Sequence, residues 1–237
     1  MRKTLLLLVT AATLAGCTHN TNTFKADTKE AVWKNSLVKF RTDMDHKENG
    51  GDVAFDAFVT LSDGKTVSMP SDTVALGYGA SSPIGDMGFY KPGKGAGMAE
   101  ILSLTEQEMV LHLHYDSWRI YDAAVTLDKQ ITLKSNSPVM KVIDYYTGEF
   151  DFLNVAAGLT LANAGTAHEI DNGFSVSYPS GITAIIVMPD ADERLVRDSL
   201  GTVLVRKAVR SDEPLRYYIG LSDKGESYLL EQLDNLF

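Results

Sequence analysis

Residues 108–127 read E-M-V-L-H-L-H-Y-D-S-W-R-I-Y-D-A-A-V-T-L. Side chains alternate faces along a strand. Met109, Leu111, Leu113 and Tyr115 then share a face apolar enough for a core, and Val110, His112, His114 and Asp116 share the other. The pattern predicts a strand from Glu108 to Asp116, a tight corner at Asp116–Ser117, and a second strand from Arg119 to Leu127. The outward face collects two imidazoles and a carboxylate, beside Trp118, Arg119 and Tyr121. No other segment gathers as many groups able to do chemistry or hold a ligand.

Further short strand candidates lie on either side. They are Ala31–Thr42, Val53–Leu61, Met98–Leu104, Lys129–Lys134, Val139–Thr147, Phe152–Leu161, Gly173–Tyr178, Ile182–Met188, Val203–Val209 and Leu215–Leu221. Turn signals separate them at Asn49-Gly50-Gly51, Ser62-Asp63-Gly64-Lys65, Asp128-Lys129, Ser135-Asn136-Ser137-Pro138, Asp171-Asn172-Gly173 and Pro179-Ser180-Gly181. Short strands at this spacing predict an all-β, mainly antiparallel β-sandwich. Two helical pieces are expected: a short charged one over Asp190–Leu200, and a C-terminal helix over Gly225–Phe237 with Leu229, Leu233 and Leu236 at helical spacing. Gly77–Gly97 holds seven glycines and two prolines in 21 residues and reads as a long loop at the rim of any site. Within it, Gly88–Lys94 matches G-x-x-x-x-G-K. The next residue is Gly95 rather than Ser or Thr, so a nucleotide is set aside.

The 237 residues are 44% hydrophobic and 22% charged, enough to bury a sizeable core. The formal net charge is −9. That balance repels phosphate backbones and argues against nucleic acid as a partner. Met1-Arg2-Lys3 is a positive segment, Thr4–Leu14 is apolar but too short to span a bilayer, and Leu14-Ala15-Gly16-Cys17 follows. This end resembles a bacterial lipoprotein signal, in which residues 1–16 are removed and the cysteine is acylated. Cys17 is the only cysteine, so no internal disulfide is expected. The acyl chains make the membrane a partner, and Thr18 in place of Asp points to the outer membrane by the usual sorting rule. Residues 17–30 are polar and read as a tether; residues 31–237 read as one sandwich domain.

A further resemblance rests on Asp86-Met87-Gly88 leading into the glycine-rich run, on His114-Tyr115-Asp116-Ser117-Trp118, and on Leu215-Arg216-Tyr217-Tyr218-Ile219-Gly220 before a short helix. In these features the chain from about Gly51 to Phe237 resembles domain-of-unknown-function family 4861, shortened at the N-terminus. These are exported proteins often encoded with polysaccharide-degrading enzymes. The resemblance implies a galactose-mutarotase-like supersandwich, as in several polysaccharide lyases. It also implies carbohydrate as the partner: a lyase, hydratase or hydrolase on uronic or deoxy-sugar oligosaccharides, or else a non-catalytic glycan-binding or structural lipoprotein. It assigns no residue roles.

The candidate chemistry comes from the residues themselves. His112-x-His114 suits two ligands of one zinc-like ion, with Asp116 as a third. A solvated or partner-bonded sheet face is the commoner outcome, so no metal or other cofactor is assigned. One histidine beside a carboxylate suffices for acid–base work, with His114 ahead of His112 because it is nearer the corner. Arg119 offers a fork for a uronate carboxylate, and Trp118 a stacking platform for a sugar ring. Tyr145 and Tyr146 point to opposite faces, so at most one lines a site; Tyr145 is the substrate-binding candidate, and a tyrosine near an arginine such as Arg119 could abstract a proton. His168 reads as a turn residue.

Overall fold

The computed structural model describes residues 22–44, 53–70, 76–86, 88–92, 96–120, 122–161, 165–197 and 201–236. Cys17 and the signal segment lie outside them. The chain forms three sheets. A small sheet runs β1 (Thr23–Ala26), β2 (Glu30–Lys34), β3 (Val38–Asp43), β4 (Asp56–Thr60) and β5 (Thr66–Ser68), each bonded to the next. The largest has eight strands in the order β13 (Thr166–Ile170), β14 (Gly173–Ser177), β15 (Thr183–Val187), β18 (Pro214–Ser222), β11 (Val139–Gly148), β10 (Ala123–Lys134), β9 (Glu108–Ile120) and β8 (Met98–Leu104). The third is β16 (Glu193–Arg197), β17 (Thr202–Val209), β12 (Leu153–Thr160), β6 (Tyr78–Gly85) and β7 (Gly88–Phe89). Pairing between named strands is antiparallel in all three. The all-β sandwich with a short C-terminal helix, α1 (Glu226–Asp234), is as expected.

The third sheet packs face to face on the eight-stranded one, and their inward side chains join one apolar core with those of the small sheet. Asn35 ties the small sheet down: its amide donates to the carbonyls of Lys134 and Ser137, 2.8 Å each, and its oxygen accepts from the Leu37 and Val38 amides. On the far side of the eight-stranded sheet, Leu229 and Leu233 of α1 pack on Val139, Ile185, Val187 and Tyr218. The helix thus covers the outer face over β11, β18 and β15.

Several expectations are corrected. The corner at Asp116–Ser117 is a β-bulge inside a single 13-residue strand. Tyr115 pairs with Leu127 and Trp118 with Val125, so two residues oppose Thr126 alone. The bulge shifts the alternation by one, which is why the core side chains change from Tyr115 to Trp118 and Ile120. The last pair of this hairpin is instead Ile120 with Ala123. Asp128-Lys129 is not a turn but the middle of β10. Ala31–Thr42 is two strands, β2 and β3, and the polar segment 17–30 contains β1. The folded part therefore begins by Asn22, whose amide donates to the Leu133 carbonyl at 3.0 Å.

Asp190–Leu200 is not helical where described: β16 pairs with β17 across Glu193–Arg197. His168 lies in β13, not in a turn. The glycine-rich run is not a loop throughout, because Tyr78–Gly85 is the buried strand β6. Its small side chains let it come close to β11 and β18. A Cβ on Gly79, at φ +113°, would fall 2.5 Å from Met140 Cε and 2.9 Å from Ile219 Cγ1. Gly93 and Lys94 of the G-x-x-x-x-G-K match lie outside the described residues.

Candidate functional site

The alternation of β9 does what the sequence requires of it. Met109, Leu111, Leu113 and Tyr115 are fully buried. His112 and His114 stand on the opposite, outer face, with side chains 19% and 31% exposed. Antiparallel register places their neighbours. His114 lies between Met98 of β8 and Asp128 of β10, and Asp128 is followed by Tyr145 of β11. His112 lies between Glu100 and Gln130. Directly opposed side chains share a face and approach within about 5 Å at Cβ. Glu100, His112, His114, Asp128 and Tyr145 therefore form a polar shelf on the part of the sheet that α1 leaves uncovered.

Asp128 is the centre of this shelf. Its Oδ1 lies 2.8 Å from His112 Nε2 and 2.7 Å from His114 Nδ1. Glu100 Oε1 faces the other nitrogen of His112, Nδ1, at 3.3 Å. Burial pushes the Asp128 carboxyl up, and the bonds from His114 and His112 outweigh it, leaving the group below its ordinary 3.8. One ligand atom each from His112, His114 and Asp128 all lie within 4.8 Å of one another.

The structure does not bring the other sequence candidates to this point. Trp118 is corrected from a ligand platform to a core residue: it is 1% exposed, and its indole N–H donates to the Tyr90 carbonyl at 2.8 Å. Arg119 is exposed on the outer face but stands five residues from His114, about 16 Å along the strand. The Tyr145–Arg119 pairing does not form either, since Tyr145 lies beside Asp128 while Arg119 pairs with Ala124. Asp116 is exposed at the bulge, and Asp128 takes the place expected for it beside the histidines. Near the same end, the Gly97 amide donates to the His114 carbonyl at 2.8 Å. Tyr146 is buried in the core.

Sequence reading missed Asp128 and Glu100. Both belong to strands adjacent to the histidines, and only the register puts them on the same spot. The available signal was the apolar alternation Val125, Leu127, Ile131, Leu133, which makes Asp128 an outward residue of a continuous strand.

No family model and no curated protein matches this chain. Among solved structures, it is similar to heparan sulfate lyase HepC from Pedobacter heparinus, with TM-score 0.51 and 12% identity over 84% of this chain and 36% of that one. A mutant of the same lyase gives TM-score 0.52 and 11% identity, over 85% and 36%. The chain spans about a third of the lyase's length. At this identity the likeness concerns the fold: a β-sandwich also found in a carbohydrate-active enzyme.

Proposed function

We propose that the protein is an exported lipoprotein that binds acidic carbohydrate on the outer face of its eight-stranded sheet, as a member of family 4861. The observation that carries this reading is the His112–Asp128–His114 cluster on the uncovered part of that face, flanked by Glu100 and Tyr145. An open sheet face bearing hydrogen-bonding groups suits a polar ligand, and histidine supplies donors for sugar hydroxyls and carboxylates. The sandwich shared with a heparan sulfate lyase supports a carbohydrate, and the acyl anchor at Cys17 would hold it at the outer membrane.

Binding is favoured over elimination chemistry by one observation. The tyrosine and arginine that the sequence offered for elimination, Tyr145 and Arg119, stand apart on this face. A calorimetric titration with uronic-acid oligosaccharides tests the reading. His114→Ala is expected to weaken binding at least tenfold, about 1.4 kcal/mol, with the melting temperature nearly unchanged because the ring is outside the core. Unchanged affinity in that variant would remove His114 from the site. Appearance of unsaturated product during the titration would instead establish a lyase.

A further inference from the structure

We infer that His112, His114 and Asp128 form a binding site for a divalent transition metal of the zinc class, with Glu100 as the carboxylate that orients His112. Proton counting leads there. A carboxylate oxygen only accepts, and a neutral imidazole carries a single N–H. His112 faces a carboxylate oxygen at both ring nitrogens, Asp128 Oδ1 at Nε2 and Glu100 Oε1 at Nδ1. In the neutral ring one of these contacts sets a nitrogen lone pair against an anionic oxygen. His114 Nδ1 converges on the same Asp128 oxygen at 2.7 Å. A cation at this point removes the conflict. His112 then gives its Nδ1–H to Glu100, and its Nε2 lone pair, the His114 Nδ1 lone pair and Asp128 Oδ1 all face one ion.

The geometry and chemistry agree with that assignment. The three ligand atoms lie within 4.8 Å of one another, and Asp128 Oδ1 is 2.8 Å and 2.7 Å from the two ring nitrogens, so side-chain shifts of about 1 Å bring them to the roughly 3.4 Å mutual spacing of ligands held at about 2.1 Å around one tetrahedral ion. A carboxylate on the far nitrogen of a ligating histidine is the recurrent outer support of such sites, fixing tautomer and ring orientation. Two imidazoles and one carboxylate select a transition metal over calcium or magnesium, which take oxygen ligands. All three ligands project from adjacent paired strands, β9 and β10, a rigid base. The side chains of His114 and Asp128 are 31% and 43% exposed, so the remaining coordination positions face solvent and are open to water or to a sugar oxygen. The site coincides with the proposed carbohydrate face, but metal binding is read without any sugar.

The test is a zinc titration of the chelator-stripped, desalted protein, in competition with a chromogenic zinc chelator near pH 7.5. One equivalent per chain is expected, with micromolar or tighter affinity. Binding should weaken toward pH 5.5, where protons compete for the imidazole nitrogens. His114→Gln and Asp128→Asn should each weaken binding at least tenfold, and Glu100→Gln about tenfold. His168→Gln should leave it unchanged, because that ring pairs instead with Glu226 at 2.7 Å. Circular dichroism checks that each variant keeps its β spectrum, and the wild-type stoichiometry needs no variant. Absence of binding at micromolar zinc overturns the inference. One equivalent bound equally well by the His114→Gln/Asp128→Asn double variant overturns it too. Oligosaccharide titrations of the stripped and loaded samples score the proposed function separately: sugar bound by a protein that takes no zinc leaves that function standing while the metal site falls.

Discussion

Lys129 is completely buried, which is rare for a lysine and costly unless it is paired. Its Nζ donates to both oxygens of Asp144 at 2.7 Å and to the Tyr217 hydroxyl at 2.8 Å. Ser81 of the opposite sheet donates to the same carboxylate and bonds the Tyr146 hydroxyl at 2.7 Å. Burial pushes the lysine down from its ordinary value, and Asp144 opposes that shift. The network spans both layers of the sandwich through Ser81 and the Tyr217 hydroxyl, which also donates to the Gly79 carbonyl. Asp144→Asn should therefore cost about 3–5 kcal/mol in urea unfolding, because it strands a buried ammonium, while Lys129→Met with Asp144→Leu should recover most of that loss. A single variant within about 1 kcal/mol of wild type would show that the pair is not needed to hold the layers. The two residues are direct cross-strand partners. In the sequence each is a charged residue at an otherwise apolar inward position. A charged pair such as Asp128-Lys129 also resembles a turn, and that resemblance hid both the buried pair and the site carboxylate.

Among the elements, β9 and α1 were legible because one face of each is apolar and the other polar. β6 was not. A strand buried on both faces has no alternation to read, and one built from Gly79, Ala80, Ser81 and Ser82 also lacks the bulky residues that mark strands. What selects these residues is close approach to β11 and β18. Gly79→Val should accordingly destabilise by about 2 kcal/mol or more, from overpacking and the positive φ together. Thermal unfolding checks this, and a melting temperature near wild type would mean that the layers can part without loss. β16 was misread for the opposite reason. Its five residues are charged and half apolar, so only pairing with β17 makes them a strand. The site divides the same way: the outward histidines follow from period two, whereas Asp128 and Glu100 follow from register, which a single sequence does not display.

For the molecule as a whole, the anchor is argued from residues 14–17 alone. Cys17→Ser should move the protein from the membrane pellet to the soluble fraction at high salt, and a variant that still pellets would leave no role for acylation. The start of the fold then sets a scale. Asn22 is pinned to the end of β10 through the Leu133 carbonyl, and it lies five residues after Cys17. Fully stretched, those residues reach about 18 Å. Asp128 lies five residues up β10 from Leu133, about 17 Å. With about 6 Å for the Asn22 side chain and its hydrogen bond, the spans add to about 40 Å between Cys17 and Asp128, less than the 17–30 segment would have permitted as free tether. An acyl group on Cys17 would thus be a short leash, confining the protein to a thin layer beside the bilayer, where it would meet a ligand threaded past or held at the membrane surface.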